Sequence, residues 1–195
     1  GAGSWTYPWS GSLISGVSYY VSATATDGGT NEENTTPARA SNFWWDTTAP
    51  VSTVTVPSPA TLYTASLPTL SGNASDAPAG VLDVQINLQN VTDNLVWTGA
   101  AWSSPIDTNT LVPAAGTTNW TYTVPTGANG LGSGKTYRIR TRGRDLATPT
   151  ANVEALGGNR DVVFDTSPPV ATVANVNTGS YYSNFTVVAG TPMPM

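Results

Sequence analysis

The chain has no cysteine and no histidine, and only 10% of its 195 residues are charged. Thiol nucleophiles, imidazole bases and Cys/His zinc sites are therefore excluded. Lack of cysteine suits an extracellular prokaryotic surface protein as well as a cytosolic one, so it does not decide the compartment. Basic residues are also few. Seven Lys and Arg face twelve Asp and Glu, for a net charge of −5, which argues against a nucleic-acid partner, because that role needs a basic surface to displace counterions. Lys135 is the single lysine and leaves little scope for an isopeptide link. No run of about 18 apolar residues occurs, so no membrane insertion is expected from this segment.

What is present is Thr, Ser, Gly, Pro, Val and Trp, a mixture suited to short strands and many turns and poorly suited to helices. Hydrophobic residues make up 39% of the chain, ample for a core.

The chain repeats itself. Trp45-Asp46-Thr47-Thr48-Ala49-Pro50-Val51 returns as Phe164-Asp165-Thr166-Ser167-Pro168-Pro169-Val170. The period is 119 residues from Asp46 to Asp165 (165 − 46), and it recurs between Tyr63 and Tyr182. Tyr19 and Tyr137, and Asp27 and Asp145, stand 118 apart, while Trp5-Thr6-Tyr7 matches Trp120-Thr121-Tyr122 at 115. A Gly-rich loop at 126–134 absorbs the difference. Anchors at nearly one spacing define repeated units. Residues 1–46 read as the C-terminal part of one unit, 47–165 as a complete unit, and 166–195 as the start of a third. The proline segments read as stiff joints between them. Gly1 aligns near Gly116 and Met195 near Asp76, so the terminal units are expected to be completed by more of the same chain or by neighbouring chains.

Within the complete unit, strands are expected at 51–56, 66–74, 81–90, 94–97, 101–102, 119–124, 135–145 and 160–164. Leu82, Val84, Ile86 and Leu88 share one face of their strand, and Asp83, Gln85, Asn87 and Gln89 the other. The expected fold is all-β: tandem immunoglobulin-like sandwiches, with Tyr19 and Tyr137 where such folds place a corner tyrosine.

Ser71-Gly72-Asn73-Ala74-Ser75-Asp76 followed by Gly80-Val81, then Trp97-Thr98-Gly99-Ala100-Ala101-Trp102, Trp120-Thr121-Tyr122, Tyr137 to Asp145 and Phe164-Asp165-Thr166-Ser167-Pro168-Pro169 resemble, in order, bacterial Ig-like tandem repeats. That family occurs in large secreted or surface-attached prokaryotic proteins. The resemblance implies a non-enzymatic stalk, fibre or adhesin shaft outside the cell. Two alternatives are a filament subunit completed by strands of neighbouring copies and a carbohydrate-binding accessory module. One departure is visible: the family often carries D-x-A-G-N after the tyrosine strand, where this chain has Asp27-Gly28-Gly29 and Asp145-Leu146-Ala147.

Four constellations merit attention. Asp76 and Asp145 are a conceivable carboxylate pair for glycoside hydrolysis, but both occupy turn positions, where Asp caps backbone amides, and no assembled acid, base and stabiliser accompanies them. Asp46, Asp76 and Asp145 are expected at one pole of the sandwich, beside the joint, where they either cap their own turns or together hold Ca²⁺. No other cofactor is implied. Arg138, Arg140, Arg142 and Arg144 line one face of one strand, as cross-strand partners of Asp83 and of Asp161 or Asp165, or as an anion, glycan or partner surface. Trp97 and Trp102 flank a turn and either pack in the core or, if exposed, stack on a sugar.

Overall fold

The computed structural model describes residues 4–33, 40–174, 178–184 and 189–192. Strands β1 (Val17–Ser22) and β2 (Ala40–Trp45) form an antiparallel hairpin. Ten strands follow: β3 (Val51–Val56), β4 (Tyr63–Thr64), β5 (Thr69–Ser75), β6 (Val81–Asn90), β7 (Leu95–Trp97), β8 (Trp102–Ser103), β9 (Val112–Pro113), β10 (Asn119–Thr123), β11 (Lys135–Asp145) and β12 (Gly157–Phe164). A last pair, β13 (Ala171–Val173) and β14 (Gly190–Pro192), closes the sequence. Among the described residues there is no α-helix, and no helix is long and apolar enough to cross a membrane.

Two sheets enclose the core. One has three strands in the order β10-β5-β3; the other runs β4-β12-β11-β6-β7-β8, with β9 also on β6. The small sheet contributes Val54, Leu70, Ala74 and Trp120. The large one contributes Val84, Ile86, Leu88, Tyr137, Ile139 and Val162. Alternation explains the choice: every second residue of β6 and β11 faces the opposite sheet. The result is an all-β, sandwich-like body. The two-residue strands β4 and β9 were not anticipated, being too short to show any periodicity.

Two differences from the sequence pattern are informative. Val81 is buried whereas Leu82 is 41% exposed, because the β6–β11 register slips where Asp145 faces Val81. The extra residue breaks the alternation, so Leu82 and Asp83 both face outward and Val81 turns in beside Val84. On the outward face of β6, Asn87 and Gln89 are buried too. Asn87 Nδ2 donates to Asp107 O at 3.0 Å and Thr110 O at 2.7 Å, so the intervening loop lies over the strand.

Trp120, fully buried, requires a bare neighbour. A Cβ on Gly72 would stand 2.4 Å from the Trp120 ring and 1.8 Å from Thr53 O.

The terminal hairpins copy parts of this body. In β1–β2, Val17 pairs with Trp45 and Tyr19 with Phe43; in β11–β12, Lys135 pairs with Phe164 and Tyr137 with Val162. Tyr19 Oη accepts from Ile14 N at 2.8 Å, and Tyr137 Oη from Gly132 N at 2.8 Å. At the other end, Val173 pairs with Gly190 as Val54 pairs with Gly72, and a Cβ on Gly190 would meet Thr172 O at 2.3 Å. Burial is not copied. Trp5, the counterpart of Trp120, is 69% exposed.

Candidate functional site

The joint between β2 and β3 is built around Asp46. Its Oδ1 accepts from Thr48 N at 2.9 Å, Thr48 Oγ1 at 2.6 Å and Ser15 Oγ at 3.3 Å. Its Oδ2 accepts from Ala79 N at 3.0 Å, in the β5–β6 loop. The same turn recurs after β12. Asp165 Oδ1 accepts from Ser167 N at 2.8 Å and Ser133 Oγ at 3.0 Å, and Thr166 N donates to Ser133 Oγ at 2.9 Å, as Thr47 N does to Ser15 Oγ at 3.0 Å. Pro50 is buried against Gly143, where a Cβ would approach it to 2.9 Å.

Three carboxylates converge at this joint. Oxygen atoms of Asp46, Asp76 and Asp145 all lie within 4.8 Å of one another. Asp145 is fully buried, while Asp46 and Asp76 are partly covered. Each also caps a turn. Asp76 Oδ2 accepts from Gly80 N at 3.0 Å. Asp145 Oδ1 accepts from Asn152 N at 2.7 Å and Ala147 N at 3.2 Å, and its Oδ2 from Asn152 Nδ2 at 2.7 Å. Burial and then the negative charges of Asp46 and, more weakly, Asp145 push the Asp76 carboxyl above its ordinary value. At Asp46 partial burial works the same way. The hydrogen bonds from Thr48, Ala79 and Ser15 outweigh it and hold that carboxyl below its ordinary value.

Asn152 is a residue the sequence reading missed. It anchors Asp145 and donates through Nδ2 to Asp46 O at 3.2 Å, tying two elements of the joint. In the first hairpin Asn31 plays this part: its N and Nδ2 donate to Asp27 Oδ1 and Oδ2, each at 2.9 Å. An asparagine side chain therefore bonds the aspartate in both copies, four residues after Asp27 and seven after Asp145.

Glu154 is the second omission. Its carboxylate accepts from Ser52 N at 2.9 Å, Ser52 Oγ at 2.5 Å and Gly143 N at 2.8 Å. Ser52 Oγ also reaches Thr141 Oγ1 at 2.8 Å. The group pins β3 of one sheet to β11 of the other. Its partner Ser52 lies 102 positions away, too far for any spacing rule to reveal.

The arginine stripe occupies the outward face of β11. Arg138 makes a two-pronged pair with Asp161, both bonds 2.7 Å, and Arg144 makes one with Asp83. These contacts raise both guanidinium pKa values and lower that of Asp161. Asp165 does not take part, since it caps its own turn. Arg140 and Arg142 bind neutral groups. Arg140 Nη2 donates to Leu156 O at 3.0 Å, and Arg142 donates through Nε (3.2 Å) and Nη2 (2.7 Å) to Gln85 Oε1.

Trp97 and Trp102 belong to the core rather than to a solvent-facing platform. Trp97 is 5% exposed, and its Nε1 donates to Tyr122 Oη at 2.6 Å. Trp102 packs between Trp97 and Tyr137, with centroid distances of 5.5 and 5.8 Å, and donates to Asn129 O at 2.9 Å. Neither indole is an open stacking surface, which removes the condition on which sugar stacking rested.

No family model, curated protein or solved structure matches this chain.

Proposed function

We propose that the chain is a non-enzymatic structural segment of an extracellular repetitive protein, a stalk, fibre or adhesin shaft built of Ig-like units. The duplicated joint carries this reading: the turns at Asp46 and Asp165 share three bonds, from a serine hydroxyl to the carboxylate, from the next amide to that hydroxyl, and from the amide two residues on to the carboxylate. Further support comes from the strand order, which splits β3, β5 and β10 from β6, β11 and β12 as an Ig-type sandwich divides its strands. The tyrosine whose hydroxyl binds backbone five residues upstream is the corner tyrosine of that fold.

In this reading the joint sets the angle between successive units, and Ca²⁺ bound by Asp46, Asp76 and Asp145 stiffens it, with backbone carbonyls and water completing the shell. Residues 47–165 expressed alone should fold as a monomer with one cooperative unfolding transition. Failure to fold would reject the unit boundaries. Ca²⁺ at a hundredfold over its dissociation constant should stabilise the 195-residue chain by about 2.7 kcal/mol. No shift in unfolding temperature would reject the cation and leave the shaft reading standing.

A further inference from the structure

The outward face of β11 carries a charge imbalance that cross-strand pairing does not remove. Four guanidiniums occupy it, and among the described residues only Asp83 and Asp161 form ion pairs with them, at its two ends. The central two, Arg140 and Arg142, have an amide oxygen and a backbone carbonyl as partners, and the Nε of Arg140 is buried without any. Across β6 their neighbours are Asn87 and Gln85, both neutral. On a chain of net charge −5, this is a local excess of two positive charges whose Nη1 groups have no bond to the described residues, whereas the buried Nε of Arg140 is out of a ligand's reach.

We propose that Arg140 and Arg142 form a binding site for the sulfate or carboxylate groups of an acidic polysaccharide. The two side chains leave the strand about 7 Å apart on one face; Gln85 takes the Nε–Nη2 side of Arg142 and Leu156 O takes Nη2 of Arg140, so the Nη1 ends are what the pair offers to an oxyanion. A peptide strand cannot add here, because β11 is already paired on both edges, with β6 and β12. The face is read through side chains, by a polymer that carries charge along its length. Asp83 and Asp161 neutralise Arg144 and Arg138 at either end, which limits the attraction to its centre.

The test is calorimetric titration of the 195-residue protein with dextran sulfate, with unsulfated dextran as the neutral control. The sulfated polymer binds, the neutral one does not, and R140Q/R142Q lowers the affinity at least about tenfold. Lys135→Gln, which removes a positive charge away from the centre of the stripe, leaves the affinity unchanged. Equal binding by R140Q/R142Q and the parent protein overturns the proposal. So does an equal loss with Lys135→Gln, which reports charge alone, or stronger binding of polyglutamate than of dextran sulfate, which reports a protein partner. Should the double variant not fold, Arg142→Gln is the substitute, since the Arg142 side chain is held only by Gln85, and an affinity equal to that of the parent protein again overturns the site.

Discussion

Asn152 Nδ2 donates to Asp145 Oδ2 at 2.7 Å across seven positions of sequence. Together with the Asn152 backbone amide, it accounts for two of the three hydrogen bonds on a carboxylate with no solvent exposure. Asn152→Ala strips one side of that buried group. The expected loss is about 1–3 kcal/mol in urea unfolding. The matching change, Asn31→Ala, bares an exposed carboxylate and should cost clearly less.

Glu154 joins the two sheets through three donors. Its removal leaves Ser52 N and Gly143 N with nothing but water in a half-closed site, and Ser52 Oγ with Thr141 Oγ1 alone. Glu154→Ala should lower stability by about 1.5–3 kcal/mol, as loss of bonds to a charged group does. Ser52→Ala, which spares both backbone amides, should cost about 1 kcal/mol. Chemical denaturation of the two variants side by side distinguishes these outcomes.

Asp76 offers a test with a definite sign. Its carboxyl is raised above the ordinary 3.8, first by burial and then by Asp46. Folding therefore favours the protonated form, and the charged form carries a penalty that is fully present above the folded pKa. The penalty fades as the pH falls through the folded pKa and is gone below the ordinary value. Without divalent cations, Asp76→Asn should raise the unfolding temperature at pH 7, and the gain should shrink toward zero through the acid range. A gain that grows on acidification would show that repulsion at the joint is not the cause.

Two glycines separate close approach from backbone conformation. Gly72→Ala forces a Cβ into Thr53 O and the Trp120 ring, with no flexible group able to retreat. It should cost more than about 4 kcal/mol or abolish folding. At Gly134, φ is +75° with open space around the missing Cβ. Gly134→Ala should cost only about 1–3 kcal/mol, read from the same denaturation curves.

The bounds of 51–56, 81–90 and 135–145 were legible to the residue, from β-rich composition and, in 135–145 and the middle of 81–90, from a period of two. The convergence of Asp46, Asp76 and Asp145 followed from counting which loops share a pole. What escaped has physical reasons. Three extra residues between Asp145 and Asn152 hid an asparagine that stands in plain spacing after Asp27. The slip opposite Asp145 exchanged the places of Val81 and Leu82. Glu154 depends on a contact between sheets, and a linear pattern carries no trace of such a contact. Trp97 is as compatible with a platform as with a core until Tyr122 is seen to take its indole proton.

The turn at Asp165 is closed by Ser133, Thr166 and Ser167, all drawn from the unit that is ending or from the joint itself. At Asp46 the loop carrying Ala77 and Ala79 adds contacts to a turn that Ser15 and Thr48 already close. In the repetitive shaft proposed above, a ribosome would release each unit with the turn that ends it already closed by that unit's own residues. The next first strand would begin on a fixed bearing before its partners are translated. Assembly would proceed from the N-terminus, each finished unit acting as the jig for its successor, and whole periods could be gained or lost by the gene without a new connection having to evolve.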